Sequence, residues 1–126
     1  MDAVCILAHE EAVRIDADRM AQLFIELGGE GAEGVICRSM EELAMRLNRA
    51  KAAYQECDFK GVRKAARSMV GISEQIGLNS LARVAGDVAN CADVGDPISL
   101  AATMGRLDRI ADRGLTAVWD LPELSV

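Results

Sequence analysis

Hydrophobic positions recur along this chain with the spacing of amphipathic helices. The clearest run begins at about Glu30 and advances by alternating steps of four and three residues, which places its members on one buried seam of a long helix. The seam consists of Ile36, Met40, Leu43, Leu47, Ala50 and Tyr54. Apolar and polar residues nowhere alternate over a sustained stretch, so the pattern predicts helices and no strands.

Three aspartates stand where helical patterns begin, and each is predicted to be an N-cap. They are Asp16, Asp58 and Asp96. An aspartate at this position accepts a hydrogen bond from a backbone N–H that the helix leaves without a partner. Pro97 follows Asp96, in the first turn of the last helix, where its missing N–H has no cost.

Glycines mark the predicted helix ends. Gly28 and Gly29 predict the end of a first helical stretch that runs from about Ala3 to Leu27, as one helix or as two if the cap at Asp16 begins a second one. Gly77 predicts a left-handed residue after a helix from Asp58 to Ile76, with the side chain of Leu78 packing beyond it. Asn79 or Ser80 is expected to cap the next helix.

The last two helices also present apolar faces, and short connections of two to six residues make antiparallel packing of successive helices the expected arrangement. The inward positions are Leu81, Val84, Ala85, Val88 and Cys91 in one helix, and Leu100, Met104, Leu107, Ala111 and Val118 in the other. The predicted fold class is all-α, an up-and-down antiparallel four-helix bundle with one or two short N-terminal helices. Residues 1–126 form a single domain in this interpretation, with the bundle core at about residues 30–119.

Composition narrows the classes of function. The 126 residues carry a net charge of −6, which disfavours general nucleic-acid binding because phosphate contacts need an excess of Lys and Arg. The sequence has no apolar run of about 18 residues and no basic flank typical of a signal peptide. We therefore expect a cytoplasmic protein that does not bind membranes.

Cysteine and histidine offer little metal chemistry. The four cysteines include no C-x-x-C pair, so we interpret them as small buried side chains. Cys5 and His9 lie four residues apart, as one half of a metal site would, but two ligands alone make no site. No metal and no cofactor is predicted.

The segment Ala66-Arg67-Ser68-Met69-Val70-Gly71, followed by Gly77 and Leu81, resembles the motif A-H-x-L-K-G of histidine-containing phosphotransfer (Hpt) domains. These are four-helix bundles that pass phosphoryl groups between receiver domains in bacterial phosphorelays. The resemblance covers most of the chain, from Ile15 to about Val118. It implies an Hpt-like bundle that acts in two-component signal transduction.

Two positions depart from that motif. Arg67 stands where the family has its phospho-accepting histidine, and Val70 stands where it has a lysine that helps neutralise phosphate. A phosphoryl acceptor needs a lone pair on a partly unprotonated nucleophile, and guanidinium is protonated at every biological pH. We therefore expect no phosphotransfer at this position and no catalytic residue.

A docking surface is the function that these residues still allow. One side of the helix from Asp58 to Ile76 carries a basic stripe, which we define as Lys60, Arg63, Lys64 and Arg67. The predicted partner-binding residues are Lys60, Arg63, Lys64, Arg67, Val70, Gly71 and Glu74. Receiver domains present clustered aspartates, so a receiver domain of a response regulator or a histidine kinase is the expected partner. The alternative is that the stripe is only the solvated face of an amphipathic helix.

Two other functions are consistent with the sequence. In the first, the chain is an active phosphotransfer protein whose displaced phospho-acceptor is His9, the one histidine, although Glu10 and Glu11 beside it repel phosphate. Alternatively, the chain is a structural protein that associates with itself. The expected assembly state is a monomer or a weak homodimer.

Overall fold

The computed structural model describes residues 15–119, and this part of the chain is helical. Its four helices are α1 (Ala17–Gln55), α2 (Phe59–Gln75), α3 (Asn79–Val94) and α4 (Pro97–Trp119). Within these residues, extended pairing is limited to one isolated antiparallel bridge between Ile15 and Leu78. The predicted all-α class is confirmed, whereas the helix expected from Ala3 begins outside the described residues.

The break predicted at Gly28 and Gly29 is a kink inside α1. Gly28 has φ 74° and ψ 167°, which lie outside the helical region, while the residues on either side continue the helix. Glycine populates positive φ without the steric cost that a Cβ imposes. The two segments therefore join end to end, without the connecting loop that separates independent helices.

All three predicted aspartate caps form. The Oδ1 atom of Asp16 accepts a 3.0 Å hydrogen bond from the backbone N–H of Arg19, and Oδ1 of Asp58 accepts one of 3.0 Å from Gly61. Asp96 accepts a 3.1 Å bond from the N–H of Ile98. Each carboxylate thus provides an acceptor for an N–H that has none within its own helix.

The turn between α2 and α3 is a Schellman motif, as Gly77 and Leu78 predict. Gly77 has φ 80°, its N–H donates to the carbonyl of Glu74 at 3.2 Å, and the N–H of Leu78 donates to Ser73 at 2.8 Å. Leu78 is only 1% exposed. These two bonds give partners to the last carbonyls of α2 and turn the chain sharply into α3.

The cap predicted at Asn79 or Ser80 is wrong. Helix α3 begins at Asn79, and its N-cap is Leu78, which has no side-chain capping bond. The Schellman turn draws Leu78 into the core, so the helix begins directly after it. The Nδ2 of Asn79 donates instead to Oδ2 of Asp16, 3.4 Å away.

Asp16 fastens the start of α1 to this same turn. Its backbone N–H donates to the carbonyl of Gly77 at 2.7 Å, and Nε of Arg19 donates to the carbonyl of Gln75 at 2.9 Å. The capping bond from Arg19 is also the main reason that the pKa of Asp16 is lowered. Three segments of the chain therefore meet at Gly77.

One hydrophobic core joins the helices. Ile36, Leu43 and Ala50 of the predicted seam are at most 1% exposed, while Leu47 and Tyr54 pack at its edge. The inward positions predicted for α3 and α4 are buried, apart from the half-buried Cys91. Ile110, Met20 and Leu23 join the core as well.

Helices that follow one another in sequence make most of the contacts, whereas α1 and α4 touch only weakly. An ion pair between Nζ of Lys51 and Oδ1 of Asp108, 2.7 Å apart, connects these two helices.

Among the described helices, none combines the length and the apolar character required to span a membrane.

Two glycine-to-alanine substitutions are expected to change stability in opposite directions. A Cβ at Gly77 would lie 3.0 Å from the carbonyl oxygen of Asp16 and would occupy positive φ, so Gly77→Ala should lower the free energy of unfolding by about 1–2 kcal/mol or more. A Cβ at Gly71 meets no atom within 4 Å, so Gly71→Ala should raise it by about 0.5–1 kcal/mol. Urea unfolding measures both, and shifts of the same sign would contradict this account.

The cap at Asp96 predicts a specific pH dependence. A hydrogen bond from the hydroxyl of Ser99, with a further one from the N–H of Ile98, lowers the pKa of Asp96 below 3.8. A lowered pKa means that this stabilisation is complete above the unfolded pKa and disappears as the pH falls through the folded one. Asp96→Asn keeps an oxygen acceptor but cannot titrate. The stability advantage of the wild type over Asp96→Asn should therefore shrink as the pH falls below about 4. Urea unfolding of both proteins at neutral and acidic pH measures this advantage. An advantage that stays constant with pH would contradict a stabilising role for the charged carboxylate of Asp96.

Candidate partner-binding site

The candidate site lies on α2, whose orientation is set by three side chains. Val62, Ala66 and Met69 are fully buried, so the opposite side of the helix must face outward. The exposed members of the predicted site are Lys60, Lys64, Arg67, Gly71 and Glu74, and the half-buried ones are Arg63 and Val70. All seven predicted residues therefore lie along one accessible or partly accessible side.

Arg63 differs from the other members of the basic stripe because its charge is already paired. Its Nη1 lies 3.0 Å from Oδ1 of Asp93 on α3, with both side chains partly exposed. The sequence alone could not reveal this pair, since 30 residues separate its members. Arg63 thus contributes less to the attraction of an acidic partner than the sequence suggests.

Lys60, Lys64 and Arg67 form no ion pair with the residues that the structure describes. Arg67 follows Lys64 by three residues and Arg63 by four, so the stripe brings like charges together on the helix surface. This arrangement is mildly unfavourable in the free protein and becomes favourable when an anionic group approaches. These three residues can therefore bind anions, and no described ion pair gives them an internal role.

Arg67 is exposed, and its guanidinium is a hydrogen-bond donor without a nucleophilic lone pair. The hydroxyl of Ser68 donates to the backbone carbonyl of Ala65 at 2.7 Å, and Gly71 is open to the surroundings. A partner surface can therefore approach this part of α2 closely. The arrangement supports recognition, with the guanidinium of Arg67 available to make two parallel hydrogen bonds to a carboxylate or phosphate.

Sequence reasoning missed a second group of cations, on α1. Arg46 and Arg49 line a groove between α1 and α2 together with Lys64 of the stripe. An adjoining groove shares Arg46 and Ser68 and is bordered by Arg38. The spacing of Arg46 and Arg49 places them on one side of α1, but only the packing of the two helices brings them to Lys64.

Metal chemistry finds no support in residues 15–119, where no three His, Cys, Asp or Glu side chains are grouped as metal ligands. Cys5 and His9 lie outside the described residues. The expectation that the cysteines are buried is wrong for Cys57, which is exposed and has φ 57°, because it lies in the turn between α1 and α2. Cys37 and Cys91 are half-buried.

Comparison with known proteins leaves the site to be interpreted from its own chemistry. No protein-family model, curated protein or solved structure matches the chain. A functional proposal therefore rests on the charge, exposure and nucleophilicity of the residues on α2, together with the motif resemblance.

Charge reversal at Arg67 should leave the fold intact. Arg67 is exposed and its nearest helical neighbours are cationic, so Arg67→Glu should raise the free energy of unfolding by up to about 0.5 kcal/mol at low salt. Added salt should reduce the gain by screening. Urea unfolding of wild type, Arg67→Gln and Arg67→Glu checks the trend. A loss of more than about 1 kcal/mol would show that Arg67 makes a stabilising contact instead.

Proposed function

We propose that this chain is an Hpt-like signalling module without phosphotransfer activity, which binds a receiver domain of a response regulator or a histidine kinase. It acts as a binding module in a two-component phosphorelay rather than as an enzyme. The observation that carries the proposal is a surface of three cations, Lys60, Lys64 and Arg67, that form no ion pair with a described residue and lie beside an open glycine on one helix.

An up-and-down antiparallel arrangement of the four helices belongs to this proposal. Three residues separate α1 from α2 and α2 from α3, and two separate α3 from α4. Connections this short favour antiparallel neighbours. The part of α1 before the kink at Gly28 takes the place of a short N-terminal helix, and the rest of α1 is the first helix of the bundle.

The absence of phosphotransfer follows from the residue at the motif position. Arg67 has no lone pair to offer a phosphoryl group, and residues 15–119 contain no histidine. Val70, where Hpt domains have lysine, is half-buried against the core and cannot neutralise phosphate. The residues at these two motif positions therefore support binding of a partner but not transfer of a phosphoryl group.

Docking in this proposal depends on charge complementarity. A receiver domain carries acidic residues around its phosphorylation site, and Lys60 and Lys64 attract such a surface over several ångströms. Arg67 then binds a carboxylate with its planar fork, and Gly71 allows the two backbones to approach. A module bound in this way competes with genuine phosphodonors for the same receiver.

The direct test measures binding to receiver domains encoded by the same genome. Arg67→Glu and Lys60→Glu are each expected to weaken binding to the cognate receiver by about tenfold or more, because each reversal replaces an attraction with a repulsion. Affinity of the wild type should also fall as the salt concentration rises. Isothermal titration at two ionic strengths gives both quantities.

Arg109→Glu is the matched control, because it changes the charge by the same amount at an exposed position on α4, a helix that packs on α3 and only weakly on α1. It should leave receiver binding nearly unchanged. Gly71→Leu tests close approach separately, since a Cβ at this exposed position meets no atom within 4 Å in the free protein, whereas a docked partner would clash with the larger side chain. If the variants at Lys60, Arg67 and Gly71 all bind as the wild type does, the docking proposal is wrong.

Two further measurements separate this proposal from its alternatives. Incubation with a phosphorylated receiver should transfer no acid-labile phosphate to the wild type, whereas transfer that His9→Ala abolishes would establish a phosphotransfer protein. Sedimentation should show a monomer or a weak dimer. A tight dimer that Arg67→Glu dissociates would mean that the basic stripe is a self-association surface.

A further inference from the structure

The groove between α1 and α2 has a basic lining, although the chain as a whole is acidic. It encloses about 270 Å³, and its charged members are Arg46 and Arg49 from α1 and Lys64 from α2. Small residues, including Gly61 and Ala53, form much of the remaining wall. Two helices thus hold three cations around one concave space.

No acidic residue is among those that line this groove, although Oδ1 of Asp58 accepts a hydrogen bond from the N–H of Gly61 in its wall. Nη2 of Arg46 lies 3.0 Å from Oε2 of Glu42, but Glu42 borders the adjoining groove. Arg49 and Lys64 form no ion pair with any described residue. The groove therefore retains most of its positive charge, even though the chain as a whole carries −6.

The hydrogen-bond donors around the groove are incompletely used. Nε of Arg46 is buried and has no partner among the described atoms, a state that proteins generally avoid. The hydroxyl of Ser68, which also lines the groove, already donates to Ala65, so the available donors belong to the two arginines and the lysine. An anion with several acceptor oxygens could bind all three side chains at once.

Phosphate chemistry suits this donor set best. The guanidinium of Arg49 presents parallel N–H groups that match two phosphate oxygens, Arg46 offers the N–H groups that Glu42 does not bind, and the ammonium of Lys64 adds a point charge. The limited volume and small wall residues leave room for a phosphate or pyrophosphate group but offer little apolar surface for a large ligand. We infer that the groove between α1 and α2 binds the phosphate or pyrophosphate group of a soluble small molecule.

This site goes beyond the docking function and shares only Lys64 with the basic stripe. Arg46 and Arg49 project from α1, whereas Lys60 and Arg67 belong to the stripe alone. A bound anion would neutralise part of the charge of Lys64 and so would weaken the attraction of an acidic partner. Ligand binding and partner docking can nevertheless be tested with different substitutions.

Pyrophosphate is a suitable probe, titrated into the full chain at low ionic strength by isothermal calorimetry. The wild type should show saturable binding with one site per chain. Arg49→Gln should weaken pyrophosphate binding by about tenfold, because the anion loses the charge and the paired N–H donors of a guanidinium. Arg49→Lys, which keeps the charge but loses the fork, should recover part of the affinity.

Arg46→Gln should cause a similar loss of affinity. Because this substitution also breaks the ion pair between Arg46 and Glu42, Arg49→Gln is the cleaner of the two variants. Arg49 is exposed and has no described ion pair, so Arg49→Gln should fold normally, which circular dichroism checks. Arg109→Gln at an exposed position on α4 is the matched control and should bind pyrophosphate as the wild type does.

Three results would overturn the inference. They are the absence of saturable pyrophosphate binding, an equal loss in the Arg109→Gln control, and binding that survives substitution of both Arg46 and Arg49. Vesicles containing phosphatidylglycerol distinguish a lipid headgroup from a soluble ligand, because binding to vesicles but not to pyrophosphate would also exclude the small-molecule site. The receiver-binding experiment is independent, since it depends on Lys60, Arg67 and Gly71.

Discussion

The register of α2 is the constraint on which the surface of this protein depends. Val62, Ala66 and Met69 are fully buried, and their burial is worth several kcal/mol in total. Any rotation of the helix that turned Arg67 inward would expose these side chains and bury a guanidinium without a partner, which is far more costly. The two ends of α2 hold the register in place, with the carboxylate of Asp58 at the start and the left-handed Gly77 at the end.

The charged side chains on the outward side of α2 contribute little to the stability of the free protein but can bind an acidic partner. Like charges at Lys60, Lys64 and Arg67 oppose one another, and only the neighbouring Arg63 has a described carboxylate partner, Asp93. Such a surface is stable because water and salt screen it, and it becomes favourable when an acidic surface displaces that water. The resemblance to Hpt domains and the chemistry of arginine lead to the same proposal, a module that binds signalling partners without accepting phosphate.

Lys64 connects the proposed docking surface with the proposed anion groove. It stands on the stripe of α2 and also lines the groove that Arg46 and Arg49 border from α1. Both proposals therefore draw on one positive region that spans two helices. Anion binding in the groove would be linked to docking through the charge of a single side chain.

The amino-acid sequence by itself determined the helices, the caps at Asp16, Asp58 and Asp96, the Gly77 turn and the inward seam of α1, because these depend on neighbours within a few residues. It also determined that Arg67 cannot accept a phosphoryl group. Only the tertiary structure decided that α3 begins after Leu78, that Arg63 pairs with Asp93, and that Arg46 and Arg49 meet Lys64 across a groove. These features depend on residues far apart in the chain, and local periodicity carries no information about which helix faces meet once a common core has formed.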